Sequence, residues 1–370
     1  MAREELRALT GIRGIAAVAV VLYHVGEAVE QRFGIPAPAP FRHGYIAVDL
    51  FFVLSGFIIA YNYMNLFSGG FDLRSYATFI GKRVARLYPL YLVLTLVYFV
   101  KNAIRGPGAA GSAASAGDWA ANLTMTHSWG FDAPRFLGVS WSISTEFLVY
   151  FLFPAMALAL ARSRLAAPLL AVLAVASIAM VALSGAGING PLDVVREGSP
   201  LPAVRCFGGF VLGVLAHRFR PKRAGRAALR ADIALFVAGI TAIVLVEEGL
   251  DAAAVCLFPL VVALLADGGR LGDTLFAGRP VHRLGEWSYA VYLAHFLCIN
   301  PALGLAGRIA GSRANVLEVS AIVLTLVPVV ALSALLHRRI EVPGRRLFLL
   351  VLPPMPTARH PSPTAGAGES

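Results

Sequence analysis

Residues 9–29 read LTGIRGIAAVAVVLYHVGEAV, an apolar stretch long enough for a membrane-spanning helix that also carries an arginine and a histidine. Arg13 and His24 are eleven positions apart, and eleven steps of about 100° return a helix to within about 20° of its starting direction. Both side chains therefore lie on one stripe, separated by roughly 16.5 Å along the helix axis. Ionisable groups inside such a helix are costly, which makes this pair the first candidate for function.

The composition of the whole chain predicts a membrane protein. Hydrophobic residues make up 58% of the 370 positions and charged residues only 14%, and the mean hydropathy is +0.71. Such a chain is too apolar for a soluble globule, so we predict an all-α fold, a polytopic transmembrane helix bundle of about ten spans. The candidate spans are apolar runs near residues 12–29, 45–63, 87–100, 138–160, 166–184, 203–217, 232–249, 252–266, 285–300 and 316–336.

The basic residues predict the orientation of this bundle. With the N-terminus inside, 23 of the 32 Lys and Arg residues fall at cytoplasmic ends, as the positive-inside rule requires. Nine spans would put the basic segment HRRIEVPGRR outside, so ten spans with both the N- and C-termini cytoplasmic fit the charges best. The net charge of +11 then reflects topology, and we expect no nucleic-acid partner. The expected location is a bacterial-type cytoplasmic (inner) membrane.

The chain is organised as one membrane domain with little attached to it. We expect this domain to cover residues 1–350 and a disordered tail to cover residues 351–370, which are rich in Pro, Ala, Ser and Gly. The longest outside connection, residues 101–136, begins with a Gly/Ala/Ser stretch. The three cysteines lie in apolar runs at unrelated spacings, so we expect neither a disulfide framework nor a metal site.

A basic cluster stands at the predicted cytoplasmic mouth of the third span, in GKRVARLYP, residues 81–89. Arg83 and Arg86 are one helical turn apart, and their guanidinium groups suit phosphate oxygens. Anchors that follow the positive-inside rule have the same appearance. Both interpretations therefore remain open from the residues alone.

Two acidic residues lie inside apolar segments. Asp49 begins the second span, in GYIAVDLFFVLSGFIIAY, at about the depth of His24, where it can orient the imidazole or cap the helix. Glu146 lies within SWSISTEFLVYFLFP, close to Ser142, and Pro154 follows in the same segment. An intramembrane glutamate next to a proline kink favours a functional site over simple packing.

A second intramembrane histidine is found in EWSYAVYLAHF, residues 286–296. His295 lies in the outer half of the ninth predicted span, and Tyr292 lies one turn before it. The two residues fit a substrate site or a packed polar contact between helices equally well.

Taken in order, these segments resemble the acyltransferase 3 family of integral-membrane acyltransferases over nearly all of residues 6–347. The resemblance rests on RGIAAVAVVLYH, VDLFFVLSGF, RVARLYPLY, SWSISTEF, SYAVYLAH and IEVPGRR. It implies transfer of an acyl group, usually acetyl from acetyl-CoA, to a hydroxyl of a sugar, commonly in a surface polysaccharide. It also implies functional roles for Arg13 and His24, and acyl-donor binding by Arg83 and Arg86.

We therefore expect a membrane O-acetyltransferase with acyl-CoA, a carbohydrate acceptor and the lipid bilayer as its partners, and with no permanently bound cofactor. His24 would act as general base or carry the acyl group itself, oriented by Glu146 or Asp49. The expected donor-binding residues are Arg13, Arg83 and Arg86, and the expected substrate-binding residues are Ser142, Tyr292 and His295.

Two alternatives to this hypothesis stay open. The acceptor can be a small lipophilic molecule, such as a macrolide or a lipid. A polytopic transporter can use the same intramembrane charges as a substrate or proton path, although no inverted repeat is visible in the sequence.

Overall fold

The computed structural model describes residues 6–104, 114–220, 227–247, 249–311 and 313–352, and over these ranges all regular structure is helical. Residues 105–113 of the predicted outer connection and residues 353–370 of the predicted tail lie outside the described residues. The α-helices are α1 Arg7–Phe33, α2 Ala39–Arg42, α3 Ala47–Phe67, α4 Leu73–Ile104, α5 Ala116–Leu123, α6 Trp141–Arg162, α7 Ala166–Leu183, α8 Leu201–Phe219, α9 Ala227–Glu247, α10 Asp251–Ala266, α11 Arg270–Phe276, α12 Arg279–Ala310, α13 Ala314–Leu336 and α14 Val342–Leu350.

The helices confirm a polytopic membrane bundle. Each of the ten predicted spans overlaps a helix of the described chain. By length and apolar composition alone, seven helices in the described ranges can cross a membrane, or eight if α10 and α11, bent by 98° at their junction, form one span. The described helix α8 has only 19 residues and includes a buried arginine, Arg205, within its apolar run. The count of ten spans and the orientation of both termini stay predictions.

The first helix is held tightly against α12. A methyl group added to Gly14 would lie 2.6 Å from the backbone nitrogen of Gly285, and one added to Gly285 would overlap the carbonyl oxygen of Thr10. Only glycines allow two helix backbones to approach this closely. This contact fixes the position of Arg13, the neighbour of Gly14, relative to the start of α12.

A second glycine contact joins α3 to α8. A methyl group on Gly56 would overlap the carbonyl oxygen of Phe210, and one on Gly213 would overlap that of Val53. The close approach brings the polar residues of α8 against the outer half of α3. As a result, α8 becomes an inner helix of the bundle although it carries a charge.

A π-helical turn, His337–Glu341, lies between α13 and α14. Such turns hold one extra residue and change the direction in which the following side chains point. Glu341 at the end of this turn is buried with 1% of its surface exposed. The helix α14 then packs on α4, where a methyl group on Gly344 would lie 2.5 Å from Cβ of Pro89.

Candidate active site

A cavity lies between α1, α3, α4, α6 and α12. On α3 it extends from Val48 to Ile59, which corresponds to roughly 16.5 Å of helix axis. Six of the residues singled out from the sequence line it, namely Arg13, Arg83, Arg86, Ser142, Glu146 and Tyr292. Residues from five helices that are distant in sequence thus face one space.

The two arginines of α4 line the end of the cavity nearer the predicted cytoplasmic side. Arg83 donates from Nη2 to the hydroxyl of Tyr63 at 2.8 Å, and its guanidinium carbon lies 5.0 Å from the centroid of the Tyr63 ring. Arg86 stacks over Tyr289, with 5.5 Å between the guanidinium carbon and the ring centroid. These aromatic contacts hold both guanidinium groups in place and keep their charge.

Arg86 also forms a buried ion pair that the sequence analysis did not predict. Its Nη1 donates to Oε1 of Glu341, and Nδ1 of His337 lies 3.1 Å from Oε2 of the same carboxylate. The segment IEVPGRR includes this glutamate, but the proline, the glycine and the two arginines that follow it gave no sign that its side chain is buried. Only the π-helical turn reveals that Glu341 reaches the cavity wall.

Glu146 lies in the cavity wall, but its hydrogen-bond partner is Tyr150 and not His24. Its Oε1 accepts a hydrogen bond of 2.6 Å from the hydroxyl of Tyr150, and this hydroxyl lies 3.3 Å from Oγ of Ser55. Glu146 therefore lines the cavity, as a site residue should, but it is oriented by Tyr150 and does not bond to His24. The expectation that Glu146 orients the imidazole is corrected accordingly. Tyr150 lies four positions after Glu146, one helical turn away, which is the signal that could have found it.

Asp49 does not orient His24 either, because both of its carboxylate oxygens bind Arg205. Nε of Arg205 donates to Oδ1 of Asp49 at 2.9 Å, and Nη2 donates to Oδ2 at 2.6 Å. Both side chains are 1% exposed, and the guanidinium carbon lies 5.4 Å from the centroid of the Trp141 ring. A bidentate pair of this kind satisfies both carboxylate oxygens. Asp49 is thus a structural partner of α8 in this structure.

His24 lies beyond the outer end of the cavity and is missing from the described residues that line it. Its Nδ1 lies 2.9 Å from the carbonyl oxygen of Val20. Because a carbonyl can only accept, this contact assigns the proton to Nδ1 and leaves the lone pair on Nε2. The side chain is 20% exposed, and Nε2 lies 4.0 Å from Oε2 of Glu27. His24 therefore presents a basic nitrogen toward the outer side.

Tyr292 connects the cavity to the two histidines. Its hydroxyl lies 2.8 Å from Oγ of Ser142, and its ring centroid is 6.2 Å from that of His295. The rings of His295 and His24 are 5.0 Å apart. His295 is completely buried, and its Nδ1 lies 2.8 Å from the carbonyl oxygen of Tyr292. The predicted substrate residues Ser142, Tyr292 and His295 thus form a chain of contacts that ends at His24.

Polar side chains surround Glu27 on the outer side. Nδ2 of Asn189 donates to Oε1 of Glu27 at 2.6 Å and to the hydroxyl of Tyr23 at 2.5 Å. Tyr23 in turn donates to Oδ2 of Asp193 at 2.8 Å. The sequence analysis missed these residues, although Glu27 follows His24 by one helical turn. Asn189 and Asp193 belong to the loop after α7, whose position no local pattern indicates.

The chain is similar to known proteins over most of its length. Residues 6–338 match the family profile described as an acyltransferase domain. The chain is 30% identical to acyltransferase MdmB of Streptomyces mycarofaciens over 373 aligned positions, which cover 93% of this chain and 92% of that protein. It is 45% identical to protein 2 in the picA locus of Rhizobium radiobacter over 101 positions, 25% of this chain and 44% of that protein. No solved structure matches the chain.

Proposed function

The chain belongs to the acyltransferase 3 family, and on that premise we propose that it moves an acetyl group from acetyl-CoA to a hydroxyl of a surface carbohydrate. The family membership makes the protein a multi-pass membrane acyltransferase that acylates a hydroxyl group. The donor, the acyl group, the carbohydrate acceptor and a location in the bacterial inner membrane are our proposals. The observation that supports them is the cavity, which is lined by three arginines and has His24 beyond its outer end.

The donor end of the proposal rests on Arg13, Arg83 and Arg86. Guanidinium groups match phosphate oxygens in geometry and charge, and CoA carries several phosphates on one end of a long flexible arm. With its phosphates at Arg83 and Arg86, the arm would extend along the roughly 16.5 Å of the cavity. The thioester would then lie near Tyr292 at the outer end.

The chemical step would be direct attack of the acceptor on the thioester. The acceptor oxygen forms a bond to the thioester carbonyl carbon, the carbon–sulfur bond breaks, and the hydroxyl proton passes to Nε2 of His24. His24 then returns this proton to the leaving sulfur of CoA. The hydroxyl of Tyr292 donates to the carbonyl oxygen of Val139 at 3.2 Å in this structure, and it would turn from this carbonyl to donate to the oxygen on which charge develops. The acceptor hydroxyl would therefore lie between the thioester, near Tyr292, and Nε2 of His24.

His24 is favoured over His295 as the base by its exposure. Both imidazoles bind a backbone carbonyl through Nδ1 and leave Nε2 as the basic atom. His295 has no exposed surface, whereas 20% of the His24 side chain is exposed. An acceptor arriving from outside would therefore meet His24 first.

The acceptor end is supported by the polar groups around His24. Glu27 and Asn189 offer one carboxylate and one amide, which are the side-chain types that bind sugar hydroxyls by hydrogen bonds. The Glu27 side chain is 27% exposed, so it is open to a polar molecule from the outer side. This polarity favours a carbohydrate over a lipophilic acceptor.

Mass spectrometry of surface polysaccharide and lipid would test this proposal. Cells expressing the wild type, His24→Ala or the control Arg74→Ala, an exposed arginine of α4, are compared. We expect acetyl esters, removable by mild alkali, in the polysaccharide of the wild type and the control but not of His24→Ala. Esters found only in the lipid fraction would replace the carbohydrate acceptor. No difference in either fraction, with folded protein present, would refute both acceptor classes.

A further inference from the structure

A long groove on the surface of the bundle follows α12 and α13, apart from the candidate active site. It consists of two adjoining open recesses. Trp287 and Ala334 line both recesses. The two recesses therefore form one continuous surface, which we call the α12–α13 groove.

One end of the α12–α13 groove is basic. Arg283, His337, Arg338 and Arg339 line it together with a single carboxylate, Glu286. Three arginines against one glutamate leave two formal positive charges, and both Arg338 and Arg339 are exposed. In the described part of the chain, no ion pair joins either of these two arginines to a carboxylate. This end lies on the side that the charge pattern predicts to be cytoplasmic.

The other end of the groove is apolar. It is lined by Trp287 and by a stripe of small and branched aliphatic side chains on α13, namely Leu326, Val327, Val330, Ala331 and Ala334. Val327 is 64% exposed. From Leu326 to Ala334 the stripe is about 12 Å long, which would cover part of one extended fatty-acyl chain. This apolar strip adjoins the basic end of the groove at Ala334, which lines both recesses.

We propose that the α12–α13 groove binds an anionic phospholipid of the cytoplasmic leaflet. The phosphate would lie between Arg338, Arg339 and Arg283, as in other basic pockets between membrane helices. One acyl chain would follow the apolar stripe of α13, and Trp287 would lie at the boundary between the two, where tryptophan is favoured. A zwitterionic lipid fills the apolar part equally well but leaves the positive charges without a counterion.

The groove is connected to the donor cavity by two contacts. His337 lines the basic end of the groove, and its Nδ1 lies 3.1 Å from Oε2 of Glu341. Glu341 in turn pairs with Arg86 in the cavity wall. Any effect of the lipid on donor binding rests on the proposed function, whereas binding of the lipid itself does not.

Lipid retention measured by native mass spectrometry would test the site without any enzyme assay. The full chain is reconstituted in nanodiscs of phosphatidylcholine and phosphatidylglycerol and then released in mild detergent. We expect the wild type to keep phosphatidylglycerol in preference to phosphatidylcholine, and Arg338→Gln with Arg339→Gln to lower this preference roughly thirtyfold. The matched control is Arg162→Gln with Arg164→Gln, two exposed arginines at the end of α6 and in the loop that follows it, on the same predicted side.

A photoactivatable phosphatidylglycerol would test the same site in the unaltered protein. We expect its acyl-chain label to crosslink to residues 326–334 of α13. Because this experiment uses the wild type, its result does not depend on whether the arginine variant folds. Equal retention by the wild type and the groove variant, equal retention of both lipids, or crosslinks outside the groove would overturn the proposal. Protection of the groove by a second copy of the chain would overturn it as well.

Discussion

The imidazole rings of His24 and His295 lie with their centroids 5.0 Å apart, and each is tied through Nδ1 to a carbonyl of its own helix. The two rings therefore share one tautomer but differ in access, because His295 has no exposed surface. In the proposed reaction, the partly exposed His24 would exchange a proton with an acceptor from the outer side. The buried His295 would then support the reactive imidazole through its ring contact.

His24→Ala is expected to lower kcat by about 10²- to 10⁴-fold, the range typical of a lost general base. His295→Phe keeps the ring packing and should lower kcat less than His24→Ala does. Steady-state kinetics with acetyl-CoA and an acceptor would measure both. Rapid quench without acceptor provides the control, since an acid-labile acyl adduct trapped on His24 would make this residue an acyl carrier.

Arg83→Ala is expected to raise the KM for acyl-CoA roughly 10- to 100-fold, because a charge-assisted hydrogen bond contributes about 1.5–3 kcal/mol. The value of kcat should change much less. Arg74→Ala, an exposed arginine earlier in α4, serves as the control and should leave KM unchanged. A fall in kcat as large as that of His24→Ala would contradict a binding role for Arg83.

Asp49→Asn is expected to lower the free energy of unfolding by about 3–5 kcal/mol, because it leaves the buried charge of Arg205 without its partner. The double variant Asp49→Leu, Arg205→Met removes both charges and should recover most of this loss. Chemical denaturation in detergent would measure the difference. If Asp49→Asn unfolds like the wild type but is inactive, Asp49 takes part in the reaction after all.

Gly285→Ala is expected to separate α1 from α12, because the added methyl group would overlap the carbonyl oxygen of Thr10. Overpacking of this kind costs about 1–3 kcal/mol of stability, and the shift would also move Arg13 away from the cavity. Gly304→Ala is the matched control in the same helix, since nothing lies within 4 Å of its added methyl group. Equal melting temperatures for the two variants would show that the helix contact is looser than described.

Titration of His127, in the loop before α6, should make the free energy of unfolding depend on pH. His127 lies outside the spans and is 1% exposed, and burial together with the nearby charge of Arg135 lowers its pKa to about 4 from the ordinary 6.5. The unfolded chain then binds the proton more readily, so the contribution of His127 is complete above pH 6.5 and falls as the pH drops toward 4. At about 1.4 kcal/mol per pKa unit, the loss approaches roughly 3 kcal/mol.

His127→Gln removes this titration and can keep the hydrogen bond to Oγ of Ser140, which lies 3.0 Å from Nε2 of His127. We therefore expect the free energy of unfolding to depend less on pH between 4 and 6.5 in this variant. Denaturation curves at several pH values would measure the slope. An unchanged slope would mean that His127 is protonated as readily in the folded as in the unfolded chain.

The sequence predicted the helices and the shared position of Arg83 and Arg86 because both depend on local patterns. Apolar length gave a helix at each expected span, and the helical spacing within GKRVARLYP put Arg83 and Arg86 on one wall. The partners of the acidic residues could not be predicted, since Arg205 is 156 positions from Asp49. Glu341 is 255 positions from Arg86, and only a π-helical turn directs it inward.

The number of spans is also difficult to predict, because it depends on contacts between residues that are distant in sequence. Length and apolarity alone select seven or eight of the described helices, whereas the charge pattern predicts ten. The difference arises partly from α8, whose arginine lowers its hydropathy although the pairing of Arg205 with Asp49 makes that charge tolerable inside the bundle. A hydropathy scale treats each residue separately and does not include such a partner.

The excess of positive charge in the cavity has a consequence for product release. Among the residues that the structure describes, Arg13, Arg83 and Arg86 face two carboxylates, Glu146 in the lining and Glu341 behind Arg86. In the proposed reaction, the spent carrier leaves with every phosphate that held the donor, because only the acyl group has departed. Free CoA should therefore compete with acetyl-CoA for the same arginines, and turnover would slow as the cellular ratio of acetyl-CoA to free CoA falls.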